Sequence, residues 1–216
     1  ASGLAAVWAT ENTREAIVAS MRRREVYATS GPRIAVRTYG GLNLPVTALE
    51  TPGFPDSIQT EAVPMGGEIL GAGADDRFTM AIEAQADPKS GNLDRIQVVK
   101  GWIDATGEAR ERLYDAVWSG DDRLQPDGSL AAVGSSVDLK TGLTANSIGS
   151  PRLTVVWQDP EFDPAQSAFY YVRVLQIPTA RHSLLDKLAL GGEDIDTRRP
   201  DTIQERAYTS PIWYRP

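Results

Sequence analysis

Phe78-Thr79-Met80-Ala81-Ile82-Glu83-Ala84-Gln85-Ala86, then Asp87-Pro88-Lys89-Ser90-Gly91-Asn92, then Arg95 to Ile103 is the stretch that decides the fold. Phe78, Met80, Ile82, Ala84 and Ala86 alternate with Thr79, Ala81, Glu83 and Gln85. That period of two puts one side of a strand on a core and the other toward solvent. The Asp87–Asn92 segment supplies turn chemistry, and Arg95 to Ile103 reads as the returning partner strand.

Working toward the C-terminus, Arg110 to Ser119 is another strand, closed by Gly120-Asp121-Asp122. Val137 to Leu139, Leu153 to Gln158 and Phe169 to Ile177 continue the pattern, with turn signals between them, as in an antiparallel sandwich. Ser183 to Leu190 predicts a short helix ended by Gly191-Gly192. Ala207 to Tyr214 is interrupted by Pro211, which predicts an edge strand or a docked extension.

Toward the N-terminus, Arg33 to Tyr39 alternates, with Ile34, Val36 and Thr38 on one side. Gly40 to Asp76, rich in Gly and Pro, carries no pattern by which an element can be placed, and its path is left open. Asn12 and Glu15 have capping-box spacing. Ala16, Ile17, Ser20 and Met21 then share a helical face, and Arg22 to Arg24 suit the helix's C-terminal end. With Ala5 to Ala9 and Val26 to Thr29 as strands, the opening unit reads as strand–helix–strand, a piece of an α/β domain. Ser30-Gly31-Pro32 breaks it. The fold class is therefore α+β, mostly β: a β-sandwich-like domain over 32–216, with residues 1–31 as an α/β remnant.

The chain has 216 residues, 41% hydrophobic and 24% charged, ordinary for a folded domain. Its net charge of −7 repels phosphate backbones and argues against a nucleic-acid partner. The one basic run, Arg22 to Arg24, is too short to reverse that. No stretch approaches the roughly 20 apolar residues of a membrane span. Cysteine is absent, which removes thiolate metal sites, disulfides and cysteine nucleophiles. Ala1 to Thr10 has no signal-peptide pattern and no initiator methionine, so a processed or truncated product is expected.

The single histidine, His182, beside Ser183, is too little for a catalytic metal centre, which usually needs several imidazoles or a dense carboxylate cluster. As a general base it needs a nucleophile and an orienting carboxylate in space, and sequence adjacency to Ser183 supplies neither. No G-x-S-x-G elbow is present. Gly66-Gly67 and Gly71-x-Gly73 match no phosphate-binding loop and read as loop punctuation. Three acidic groups are candidate sites for a hard cation: Asp121, Asp122 and Asp127; Asp159, Glu161 and Asp163; Glu193, Asp194 and Asp196. None has the spacing of a calcium loop, and solvated turns account for them. Trp102, Trp118 and Trp157 lie in predicted strands and Phe169-Tyr170-Tyr171 puts aromatics on both faces of one. Core packing is the simpler reading of these rings, with Trp213 and Tyr214 anchoring the tail; a carbohydrate- or surface-binding module is the alternative. No residue is assigned a catalytic, cofactor-binding or metal-ligating role.

Several stretches taken together carry a family resemblance. They are Leu4 to Ala16, Arg24 to Ile34, Val99-Lys100-Gly101-Trp102, Val137 to Thr141, Phe169 to Val174, and Ile203 to Tyr214. The chain resembles the C-terminal portion of the bacterial domain-of-unknown-function family 3604. Members have an N-terminal part similar to the PHP (polymerase and histidinol phosphatase) metallohydrolases, a distorted α/β barrel whose His, Asp and Glu residues bind divalent metals. The resemblance implies that residues 1–31 are the end of that barrel and 32–216 its β-rich appendage. The implied role is a non-catalytic accessory domain of a larger metal-dependent hydrolase, and the implied location is the periplasm or outside the cell. Its partner would be the barrel of the same polypeptide, any metal would sit there, and a homo-oligomer stays open. Tyr27 to Gly31 is placed near that site by the same resemblance, or is a structural turn.

Overall fold

The computed structural model describes residues 3–191 and 198–216. In chain order the elements are β1 (Leu4–Val7), α1 (Arg14–Arg22), β2 (Val26–Thr29), β3 (Ala35–Leu42), β4 (Ala62–Pro64), β5 (Glu68–Leu70), β6 (Phe78–Gln85), β7 (Leu93–Ile103), β8 (Ala109–Trp118), β9 (Arg152–Gln158), β10 (Ala168–Gln176), β11 (Thr179–Ala180), α2 (His182–Leu190), β12 (Thr202–Ile203), β13 (Arg206–Thr209) and β14 (Ile212–Arg215). The protein is mostly β, with two sheets packed face to face. The smaller sheet has the order β4-β3-β6-β9. In the larger, β8, β7 and β10 lie side by side, and the far edge of β10 is shared by β14 and β13. β13 leads on to β2 and β1, and β14 pairs in parallel with β5.

The alternating residues of β6 do face a core. Phe78, Met80, Ile82 and Ala84 meet Ile96, Val98, Tyr170, Val172 and Val174 of the larger sheet. The expected β6–β7 hairpin does not form. β6 pairs with β3 and β9, and β7 with β10 and β8. Asp87–Asn92 therefore carries the chain across the sandwich, because both strands turn apolar rows toward the same interior.

Thr79 and Ala81, on the other side of β6, are also buried. The segment with no predicted element explains this. Leu44, Ala48 and Ile58 cover the outside of the small sheet and form a second core with Tyr39, Ala62 and Ala81. The Thr79 hydroxyl accepts from Leu44 N at 2.8 Å and donates to Gly41 O at 3.2 Å, so its burial costs no hydrogen bond.

At the N-terminus, β1 and β2 are adjacent and antiparallel, with Leu4 opposite Thr29 and Val7 opposite Val26. The unit is a strand pair with α1 in its connection, in place of the parallel βαβ unit that the strand–helix–strand pattern suggested. The helix cap is Thr13, one residue after the predicted Asn12; its hydroxyl accepts from Ala16 N at 3.3 Å. Ser20, the one buried residue of α1, donates to Trp8 O at 2.8 Å. Met21, predicted on the buried face, is exposed.

Two further readings are corrected. Val137 to Leu139 is no strand; Val137 makes a single bridge to Thr144, and Asp138 caps a turn by accepting from Lys140 N. The tail is interior to its sheet, because Pro211 sits at a break between β13 and β14 where no ladder amide is needed. The Thr209 hydroxyl there takes the Val172 N–H at 2.9 Å, and Pro211 O accepts from Gly66 N at 3.0 Å. The α2 helix forms as expected, with Gly191 capping it in the left-handed region (φ 63°).

Candidate functional site

A wide cleft, about 920 Å³, opens where several loops converge at one end of the sandwich. Ser30 comes from the end of β2, Asp87 and Lys89 from the β6–β7 crossover, His182 and Ser183 from the start of α2, and Glu205 from the approach to β13. The Ser30 hydroxyl donates to the Glu205 carboxylate and accepts from Arg206 N at 2.9 Å. Asp87 accepts from Arg33 N at 2.8 Å and Lys89 N at 2.9 Å. The Arg33 bond, more than the other contacts, holds the Asp87 carboxyl below its usual range. Ser183 Oγ is buried without a hydrogen-bond partner among the described residues.

Among the described residues no hydrogen bond joins His182 to Ser30, Ser183 or Glu205. The cleft therefore offers hydroxyls, the carboxylates of Asp87 and Glu205 and an exposed imidazole suited to holding a polar ligand, without the nucleophile–base–orienter chain of acyl transfer. Also among the described residues, no group of three or more His, Cys, Asp or Glu side chains could hold a metal ion.

A second pocket, about 570 Å³, lies at the opposite kind of surface. It sits on the outer face of the large sheet, and Phe169, Trp213 and Ile103 contribute to its apolar lining.

Deeper in, two buried ion pairs tie loops to strands. Lys100 donates to Asp159 at 2.6 Å and to Glu161 O at 2.8 Å, while the Tyr170 hydroxyl donates to the same Asp159 oxygen at 2.7 Å. Arg123 donates to Asp94 at 2.8 Å, to Ser119 O at 2.6 Å and to Ala131 O at 2.9 Å. Every charge in both clusters is partnered, as burial demands.

All 216 residues match the sequence model of the family described as a protein of unknown function (DUF3604). The chain belongs to that family. No curated protein and no solved structure matches it. Among the described residues of this DUF3604 chain, no helix is long and apolar enough to cross a membrane.

In the DUF3604 chain the residues singled out from sequence scatter. Ser30 and Gly31, at the end of the Tyr27–Gly31 stretch, do share the wide cleft with His182. Trp102 and Trp118 are half-buried at opposite ends of the β7–β8 pair, and Trp157 lies in the other sheet against Tyr114, 5.1 Å between ring centroids. These three indoles form no common platform. Gly66, Gly67, Gly71 and Gly73 make turn and sheet-edge hydrogen bonds.

Of the acidic groups, Asp127 and Asp163 cap their own turns. Asp122 adopts the left-handed region and Asp121 is exposed. Asp159 is not a solvated turn residue; it is the buried partner of Lys100, and Glu161 pairs with Arg112 at 2.6 Å and Tyr114 at 3.0 Å. Glu193, Asp194, Asp196 and Gly192 lie outside the described residues. Asp94, Arg123 and Glu205 carry no sequence signal, since their partners are distant in the chain.

Proposed function

We propose that this DUF3604 chain is a non-catalytic accessory domain of a larger PHP-like metal-dependent hydrolase, packed against an α/β barrel that precedes it in the same polypeptide. The observation that carries this reading is the bare edge of β1. Among the described residues Leu4-Ala5-Ala6-Val7 pairs with β2 alone, and it has no charge or proline to blunt its other side. Leu4, Val18 and Met21 on this unit are 40%, 39% and 52% exposed. A free apolar edge flanked by exposed aliphatics is a surface that another part of a protein covers.

On this reading residues 1–31 complete the barrel, and the β2–β13 pairing fixes the barrel rigidly to the sandwich. The divalent metal and the activated water belong to the barrel, where the metal lowers the pKa of its water for attack on an ester or phosphoester. Export from the cytoplasm belongs to the same reading.

The test compares residues 1–216 with the longer polypeptide by hydrogen exchange and by hydrolysis of p-nitrophenyl phosphate with added manganese. Leu4 to Val7 should exchange rapidly in the short chain and slowly in the long one, and only the long one should turn over. Metal-dependent turnover by residues 1–216 alone, or β1 exchange that is the same in both, overturns the proposal.

A further inference from the structure

Glu111, Gly101, Phe169 and Trp213 face one another in register across β8, β7, β10 and β14. They lie on the side of the large sheet turned away from the core that Tyr170 and Val172 help to form. A Cβ at Gly101 would fall 2.2 Å from Phe169 Cζ. The ring therefore occupies the space that any larger residue would fill, and lies across the strand. Trp213 stands beside it, 5.3 Å between centroids and inclined by 48°, with 38% of its surface exposed. The two rings make a floor and a wall of the 570 Å³ pocket, a volume within the usual range for small-ligand sites, about 300–1,000 Å³.

The charges around the pocket decide between ligands. Arg215 is paired with Glu68 at 2.5 Å, and Arg110 with Asp104 and Glu108, both at 2.7 Å. The guanidinium groups are thus neutralised within the chain and keep spare N–H donors. Glu111 adds a carboxylate acceptor and Ser167 a hydroxyl. No uncompensated positive charge is left to attract an anion. Aromatic faces together with both donors and acceptors suit a ligand with an apolar C–H face and a ring of hydroxyls.

We propose that this pocket binds a neutral pyranose, as the end of an oligosaccharide stacked on Phe169 and Trp213. The proposal stands independently of the accessory-domain reading. Its stacking rings are not Trp102, Trp118 and Trp157; Trp102 borders the pocket but packs against the core.

The test titrates the full chain with cellohexaose, xylohexaose, mannohexaose and chitohexaose, followed by calorimetry and by tryptophan fluorescence. At least one should bind, and Trp213→Ala should weaken it by about tenfold or more, the loss of one good contact. Amide NMR shifts on binding should map to residues 101–111, 167–169 and 213–215, and Glu111→Gln, at an exposed position that folding does not need, should weaken binding severalfold. Absence of binding at millimolar sugar, shifts confined to another surface, or binding of N-acetylphenylalaninamide without any sugar overturns the proposal.

Discussion

Lys100 Nζ lies 2.6 Å from Asp159 Oδ2 with both side chains buried between the sheets. Lys100 is on β7 of the large sheet and Asp159 directly follows β9 of the small one, so the pair spans the sandwich. Asp159 also accepts from Tyr170 and from Glu161 N at 2.9 Å. Removing one partner leaves an unpaired buried charge, and Lys100→Met should cost about 3–5 kcal/mol. Replacing both, as Lys100→Met with Asp159→Leu, should recover much of that loss. Urea denaturation of the three variants checks it; additive losses would refute the pairing.

Stability should fall at alkaline pH through buried tyrosines. Burial first, and the Asp159 charge second, push the Tyr170 hydroxyl far above its ordinary value. Burial and the hydrogen bond to Glu161 do the same for Tyr114. Because the folded values are raised, their contribution is complete below the unfolded tyrosine value, about 10, and is lost as pH climbs above it. Melting temperature should therefore drop steeply above that pH, and more gently in Tyr170→Phe. Equal slopes for the two proteins would contradict the assignment.

Arg123 holds the connection after β8 by donating to Asp94, Ser119 O and Ala131 O. Arg123→Lys retains the charge but loses the fork that reaches three acceptors. It should cost about 1–3 kcal/mol and make residues 120–131 the first site of limited proteolysis. An unchanged cleavage pattern would count against this role.

Thr209→Val keeps the shape of the side chain but strands the buried Val172 N–H. A loss of about 1–3 kcal/mol is expected by chemical denaturation, with Thr209→Ser much closer to the parent protein. Gly66 tests the same junction: its φ is +85°, and a Cβ there would meet Arg24 O at 2.4 Å. Gly66→Ala should destabilise through both strain and clash.

Alternation made β6, β9 and β10 legible, and Gly191 made the end of α2 legible. Alternation reports which face of a strand is buried but not its neighbour, so Asp87–Asn92 passed for a hairpin when it is a crossover. The outer layer over Tyr39 and Ala81 was hidden because Leu44 and Ala48 come from loop and turn and Ile58 from a single short 3-10 helix (Asp56–Ile58), none of which has a period to read. Of the wide cleft, the sequence offered Ser30, Gly31, His182 and Ser183 as separate fragments; Glu205, which bonds Ser30 across 175 positions, had no local signature. The Phe169–Gly101–Trp213 corner was equally invisible, since it exists only in the cross-strand register. Asp94 and Arg123 are 29 positions apart and are joined only by the fold.

Residues 206–215 work as a wedge, gripped by β10 on one flank and by β2 and β5 on the other. Prising them out would bare three strand edges at once in the middle of the larger sheet. A wedge of identical sequence from a second copy fits that slot as well as the chain's own, so strand exchange between molecules competes with reclosure of a partly opened protein as its concentration rises.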